Sequence, residues 1–144
     1  MFYQIQEGSV ELPGEWQDRS VNVLIPQDTN SKGANLVISR DSVPRGLPFA
    51  DYLQQQRKIL ARELPDFQVQ LDAAGADGQR PVHNLEFTWT NQGKAMRQLM
   101  TLIGCGDSVL SLTASIPKGS EDAIEILQRA MNSLTFDPRT GTGG

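Results

Sequence analysis

The chain offers few residues that could do covalent or metal chemistry. His83 is its only histidine and Cys105 its only cysteine, so a nucleophilic Cys–His pair would have to be built from these two, and nothing in their spacing brings them together. Zinc asks for more nitrogen or sulfur ligands than one of each. His83 falls inside a run that reads as a strand, which suits a structural or surface role. Asp72, Asp77, Glu86 and Asp107 are the acids available for a carboxylate pair, but scattered loop acids are ordinarily solvated. Gly104-Cys105-Gly106 lacks the Lys-Ser or Lys-Thr that follows the glycines of a phosphate loop. The expectation is therefore a protein that is not an enzyme, with no catalytic residue, metal or cofactor. A small hydrolase or thiol enzyme using Cys105 and His83 is the less favoured alternative.

The totals narrow the partners. At 144 residues the chain is the size of one ordinary domain, and 38% hydrophobic with 21% charged residues is a globular composition. A net charge of -4 disfavours nucleic acid, whose binding rests on Lys and Arg neutralising phosphates. The start, Met1-Phe2-Tyr3-Gln4-Ile5-Gln6-Glu7-Gly8, has no signal-peptide pattern, and no run approaches the roughly 18–20 apolar residues of a membrane span. A soluble, cytoplasmic protein without stable membrane insertion is expected. Its organisation reads as one domain over residues 1–137 with a flexible tail at 138–144.

What must do the work is a pair of apolar runs, Ser20-Val21-Asn22-Val23-Leu24-Ile25 and Asn35-Leu36-Val37-Ile38-Ser39-Arg40, joined by a polar loop from Pro26 to Ala34. Both read as strands of a hairpin. Val21, Val23 and Ile25 share one face of the first and Asn22 and Leu24 the other; in the second, Val37 and Ser39 oppose Leu36, Ile38 and Arg40. A sheet with one wet side should alternate apolar and polar residues, so apolar side chains on both faces imply that both meet something non-aqueous. One face can be the core; the other can pack on a helix, an identical subunit or a partner.

Short strands are expected at Tyr3–Gln6 and Ser9–Leu12, with Trp16 as a packing anchor. A helix from about Pro48 to Leu64 follows, with an apolar stripe of Phe49, Tyr52, Leu53, Ile59, Leu60 and Leu64 that extends onto the uncharged Gln56. Gln56 either lies at the stripe's edge in water or turns its donor and acceptor into a groove. Strands are expected at Phe67–Leu71, Val82–Trp89, Ala95–Ile103 and Ser108–Ile116, with a loop from Asp72 to Pro81. Gln98, Met100 and Leu102 fall on one face against Arg97, Leu99 and Ile103, and Ser111 and Thr113 fall against Leu110, Leu112 and Ala114. Ser120 is the expected N-cap of a second helix striped by Ala123, Ile124, Leu127, Ala130, Met131 and Leu134. The order of elements predicts an α+β fold: a twisted antiparallel sheet packed with two main helices.

Taken together, Tyr3 to Gly8, Glu11-Leu12-Pro13, Trp16-Gln17-Asp18-Arg19-Ser20-Val21-Asn22-Val23-Leu24, Asn35-Leu36-Val37-Ile38-Ser39-Arg40-Asp41 and the helix ending Leu64-Pro65 before Phe67 resemble the Eag effector-associated adaptor chaperones of bacterial type VI secretion. The resemblance runs from Tyr3 to about Phe136. It implies a PsbP/Mog1-like fold and a homodimer with a concave groove. That groove would shield the amino-terminal transmembrane helices of a PAAR- or Rhs-type effector and help load it on the secretion spike, VgrG. By motif position it implies Val21, Val23 and Val37 as the apolar contacts of the client helix and Ser39, Gln56 and Gln98 as the polar ones. Leu24, Leu36 and Ile38 then go to the subunit's own core. A non-chaperone protein-binding module of the same fold, gripping a soluble partner, is the alternative.

Overall fold

Long stretches that alternate apolar with polar or hydroxyl residues, cut by short turns, make strand the commonest element of this chain. The computed structural model describes residues 1–27 and 32–137, so the expected tail and part of the loop between the two apolar runs lie outside the described residues. A separate hairpin of β1 (Phe2–Ile5) and β2 (Gly8–Glu11) precedes the main sheet. The sheet holds β3 (Asn22–Leu24), β4 (Asn35–Ser42), β5 (Gln68–Asp77), β6 (Arg80–Asn91), β7 (Lys94–Cys105) and β8 (Ser108–Pro117) in the lateral order β3-β4-β8-β7-β6-β5. Every neighbouring pair is antiparallel. Helix α1 (Phe49–Glu63) separates β4 from β5, and α2 (Ala123–Asn132) follows β8. The fold is α+β as expected.

Three tight hairpins build the meander β5 to β8. The turn between β6 and β7 places Gln92 at φ 51° and Gly93 at φ 82°. Two successive positive φ values in a two-residue loop match the right-handed twist of the flanking strands, and the second position takes the residue without a Cβ.

The two helices lie on opposite faces of this one sheet. On one face Leu36, Leu99, Ile103, Leu112, Ala114 and Ile116 pack with Ala123, Leu127 and Met131 of α2. The four-residue spacing of those α2 positions puts them on one stripe, and each fully buried Leu or Ile there contributes about 1.5–3 kcal/mol. On the other face Tyr52 and Leu53 of α1 pack on Leu102 and Val109, flanked by Phe49 and Met100. Pro65 ends α1, and its carbonyl accepts the Thr90 N–H at 2.9 Å, which ties the helix's exit to β6.

Several expectations need correction. The Asp72–Pro81 loop is strand: β5 runs on to Asp77 past an irregularity between Val69 and Leu71, and only Gly78-Gln79 turns the chain. Scattered Ala and Gly residues disguised a strand held by its pairing with β6. Ser120 does not cap α2, whose N-cap is Asp122; the Ser120 hydroxyl instead bonds the Lys32 carbonyl and is buried. The first apolar run keeps only three residues as strand. Leu24 sits on the α2 side of the sheet but is 51% exposed, because the α2 core is centred on β8 and stops short of this edge. Trp16 is no packing anchor: it is exposed, and its indole N–H bonds the Pro13 carbonyl at 2.6 Å. Ile59 of the α1 stripe is likewise exposed.

Candidate functional site

Antiparallel partners share a face, so the register fixes which side chains lie together. On the α1 side one row runs Val23, Val37, Thr113, Met100 and Leu85. The next runs Ser39, Ser111, Leu102 and His83, and on the other flank Asn35, Ser115, Gln98 and Phe87 form a third. Helix α1 covers only part of this surface. Its Phe49 and Leu53 lie over β7, and Arg57 reaches β5 and β6. The portion carried by β3, β4, β8 and the Gln98–Met100 stretch of β7 contributes no buried residue to the α1 cluster apart from Val109.

Two polar clamps hold α1 to the sheet, one on β4 and one on β5 and β6. The Tyr52 hydroxyl donates to Asp41 on β4 at 3.0 Å, and burial with the adjacent carboxylate pushes its pKa up. Arg57 makes a two-point contact with Asp72 on β5, both bonds at 2.9 Å. His83, which is buried, contacts the same carboxylate and lies 3.1 Å from the Arg57 guanidinium. The Arg57 guanidinium first, and then His83, hold Asp72 below the usual carboxylate range. His83 is thus a structural residue in a helix-to-sheet clamp.

The six residues singled out by the resemblance fall around the bare portion. Val23 and Val37 are direct register partners; Val23 is 57% exposed and Val37 is half-buried. Val21 lies just before β3, two residues from Val23, and is 55% exposed. Ser39 follows Val37 on the same face, half-buried. Tyr52 and Arg57 reach outward in opposite directions. At about 100° per residue, Gln56 lies roughly 40° from Tyr52 around the helix and so faces the sheet on the bare side. Gln98 is on this face too, but it is bonded inward: Trp89 Nε1 donates to its Oε1 and its Nε2 donates to Ser115 Oγ, both at 2.8 Å.

Sequence reasoning left out Asn35, Ser111, Thr113 and Ser115 as site residues, although the Ser-x-Thr-x-Ser alternation of β8 carried the signal. Val23, Val37, Ser39, Ser111, Thr113, Ser115, Gln98 and Met100 form a surface of methyls, hydroxyls and one amide with no ionised group. Such a surface takes up an apolar partner without stripping water from a charge. A cavity of about 640 Å³ at the other end of α1, lined by Val43, Leu47, Phe49, Tyr52 and Arg80 among others, includes none of the six. Among the described residues no His, Cys, Asp and Glu converge in a group able to hold a metal, and no helix is long and apolar enough to cross a membrane.

Known proteins share this architecture. Over 113 residues, 77% of this chain and 78% of the relative, the sequence is 30% identical to the Pseudomonas aeruginosa protein named Effector EagT6. A solved structure of a P. aeruginosa protein of unknown function, PA94, superposes with a TM-score of 0.80 at 26% identity, covering 96% of this chain and 97% of the other. LpqN of Mycobacterium tuberculosis, involved in cell envelope biogenesis, gives 0.55 at 18% identity over 83% and 82%. The PsbP protein of the cyanobacterium Synechocystis gives 0.55 at 8% identity over 86% and 96%. At those identities the last two speak for a PsbP-like fold alone. The family model described as DcrB matches residues 7–133, and the chain belongs to the DcrB family and, by its likeness to EagT6, to the Eag proteins.

Proposed function

We propose that this protein is a type VI secretion adaptor that shields the amino-terminal transmembrane helices of an effector in the cytoplasm and hands that effector to the spike protein VgrG. One observation carries the reading: half of one sheet face, uncharged and mixed apolar and hydroxyl, is left bare beside a helix that is clamped at both of its edges. The likeness to EagT6 supports an effector as the partner. PAAR- and Rhs-type effectors with amino-terminal apolar segments are the clients this reading names.

The dimensions bear on stoichiometry. From β3 to β7 is three strand spacings, about 14 Å, wide enough for one helix of roughly 10–12 Å diameter. Along β4, Asn35 to Ser39 spans about 14 Å, whereas a 20-residue helix is about 30 Å long. One chain therefore covers about half of a membrane helix, and a homodimer that joins two such faces supplies the rest. At about 25 cal/mol per Å² of apolar surface removed from water the gain is ample, though ordering the client offsets much of it. Hydroxyls and amides add polar contacts of the kind that hold membrane helices together.

Co-expression with an effector's amino-terminal fragment tests this. Wild type keeps the fragment soluble, and Val23→Asp or Val37→Asp, folded and of unchanged oligomeric state, loses it. Equal solubilisation by the variants sinks the assignment of the face. Capture that persists after the apolar segments are deleted gives the face to a soluble partner instead.

A further inference from the structure

The amino-terminal arm carries apolar side chains that the chain itself does not cover. Hairpin β1–β2 forms its own two-stranded sheet, apart from the six strands of the main one. Its register puts Tyr3, Ile5 and Val10 on one face and Phe2 on the other. Phe2, Ile5, Val10 and the following Trp16 are all exposed, and no residue from 1 to 20 is buried. A lone hairpin is marginal in water and needs something to pack against. A client helix cannot serve, because the arm is tethered on the other side of the sheet. The Tyr3 hydroxyl meets Ser20 Oγ at 2.8 Å. Ser20 alternates with Asn22, which pairs with Ile38 on the α2 side and takes a 2.8 Å bond from Arg40. That side also holds an unclaimed counterpart. Strand β3 has β4 as its one neighbour, leaves its outer backbone edge open without a charge or a proline, and exposes Leu24.

We propose that a second copy of this chain covers the arm, each copy laying its β1–β2 hairpin along the β3 edge of the other. Phe2, Ile5, Val10 and Trp16 of one copy pack on Leu24 of the other, and the hairpin extends the main sheet, so that two open edges close at once. A copy is the fitting occupant because the hairpin is folded in the chain without a client, and its cover must be present whenever the chain is. The exchange is reciprocal and closes on a two-fold axis. Met1, Phe2, Ile5, Val10, Trp16 and Leu24 are 43–75% exposed. With about 150–250 Å² on each aromatic and the backbone of the strand edges added, they approach the roughly 800 Å² per partner of a stable interface. The pairing also bears on the open face. Strand β3 borders it, so chains joined there set their open faces side by side, as a membrane helix longer than one face requires. That last step rests on the client reading; the interface does not.

Sedimentation of the full chain, free of client, tests this. Wild type at micromolar concentration runs at twice the 15.8 kDa of one chain. Phe2→Ser with Val10→Thr changes two exposed side chains, keeps the wild-type circular dichroism and raises the dimer dissociation constant at least about 100-fold. Leu24→Asp, at the other half of the contact, does the same. Mixed together, the arm variant and the edge variant recover a dimer, weaker than wild type, because one intact arm still meets one intact edge. A monomeric wild type overturns the interface, and so does a dimer that survives both variants. A mixture that stays monomeric overturns the reciprocal pairing and gives the contact to arm on arm or edge on edge. None of these substitutions lies on the client face, so solubilisation of the effector fragment by co-expression tests that reading separately.

Discussion

The same strands make two unlike surfaces. Leu36, Leu112, Ala114 and Leu99 alternate with Val37, Thr113, Ser115 and Met100 along β4, β8 and β7; the first set is sealed under α2 and the second is only partly covered. The closed face carries aliphatic side chains alone at its centre, down to 0% exposure at Ala114, whereas the open one holds Val23 at 57%. The difference teaches where stability and binding are kept. With the α2 face carrying the core, the α1 face is free to hold hydroxyls and exposed valines that a sealed core would not tolerate.

Substitutions that cross this division separate the two roles. Leu112→Ala, in the sealed face, is expected to cost about 2–5 kcal/mol by chemical denaturation, since it opens a cavity that rigid strands cannot collapse. Gln98→Leu tests the boundary: it strands the Trp89 N–H and loses the Ser115 contact, and about 1–3 kcal/mol of stability should go with it. Asp72→Asn acts at the clamp and shows in the pH profile. Because the folded-state pKa of Asp72 is depressed, its contribution is complete above the ordinary carboxylate range and lost as pH falls through the folded value. The acid limb of a stability–pH curve should therefore be shallower in the variant than in wild type, with the two curves converging at the acid end. Smallest in stability is Val23→Asp, within about 0.5 kcal/mol because the side chain is already in water. If Val23→Asp unfolds the chain as Leu112→Ala does, the contrast between the faces fails.

Legibility followed the range of the interactions. The alternation at Val21 to Ile25 and Asn35 to Arg40 separated the faces correctly, and the register of Val23 with Val37 agrees with it. The helix at 48–64 was readable from its stripe, Pro48 and Pro65. Ser120 resembles a cap locally, yet its hydroxyl is taken by Lys32, distant in sequence. The strand character of 72–77 comes from pairing with β6 rather than from its own Ala and Gly residues. Gln98 and Ser115 are 17 residues apart, and Trp89 reaches Gln98 from the next strand.

The sequence by itself determined the strand faces, both helices and the poverty of catalytic residues, because periods of two and 3.6 and the residue inventory are local properties. Only the tertiary structure decided that β4 pairs with β8, since the lateral order of strands is set by contacts between distant segments. It also decided that α1 leaves half of its face bare and that the Gln98 amide points inward. What a side chain has left to offer a partner depends on what its neighbours have already taken, and those neighbours are brought together only by folding.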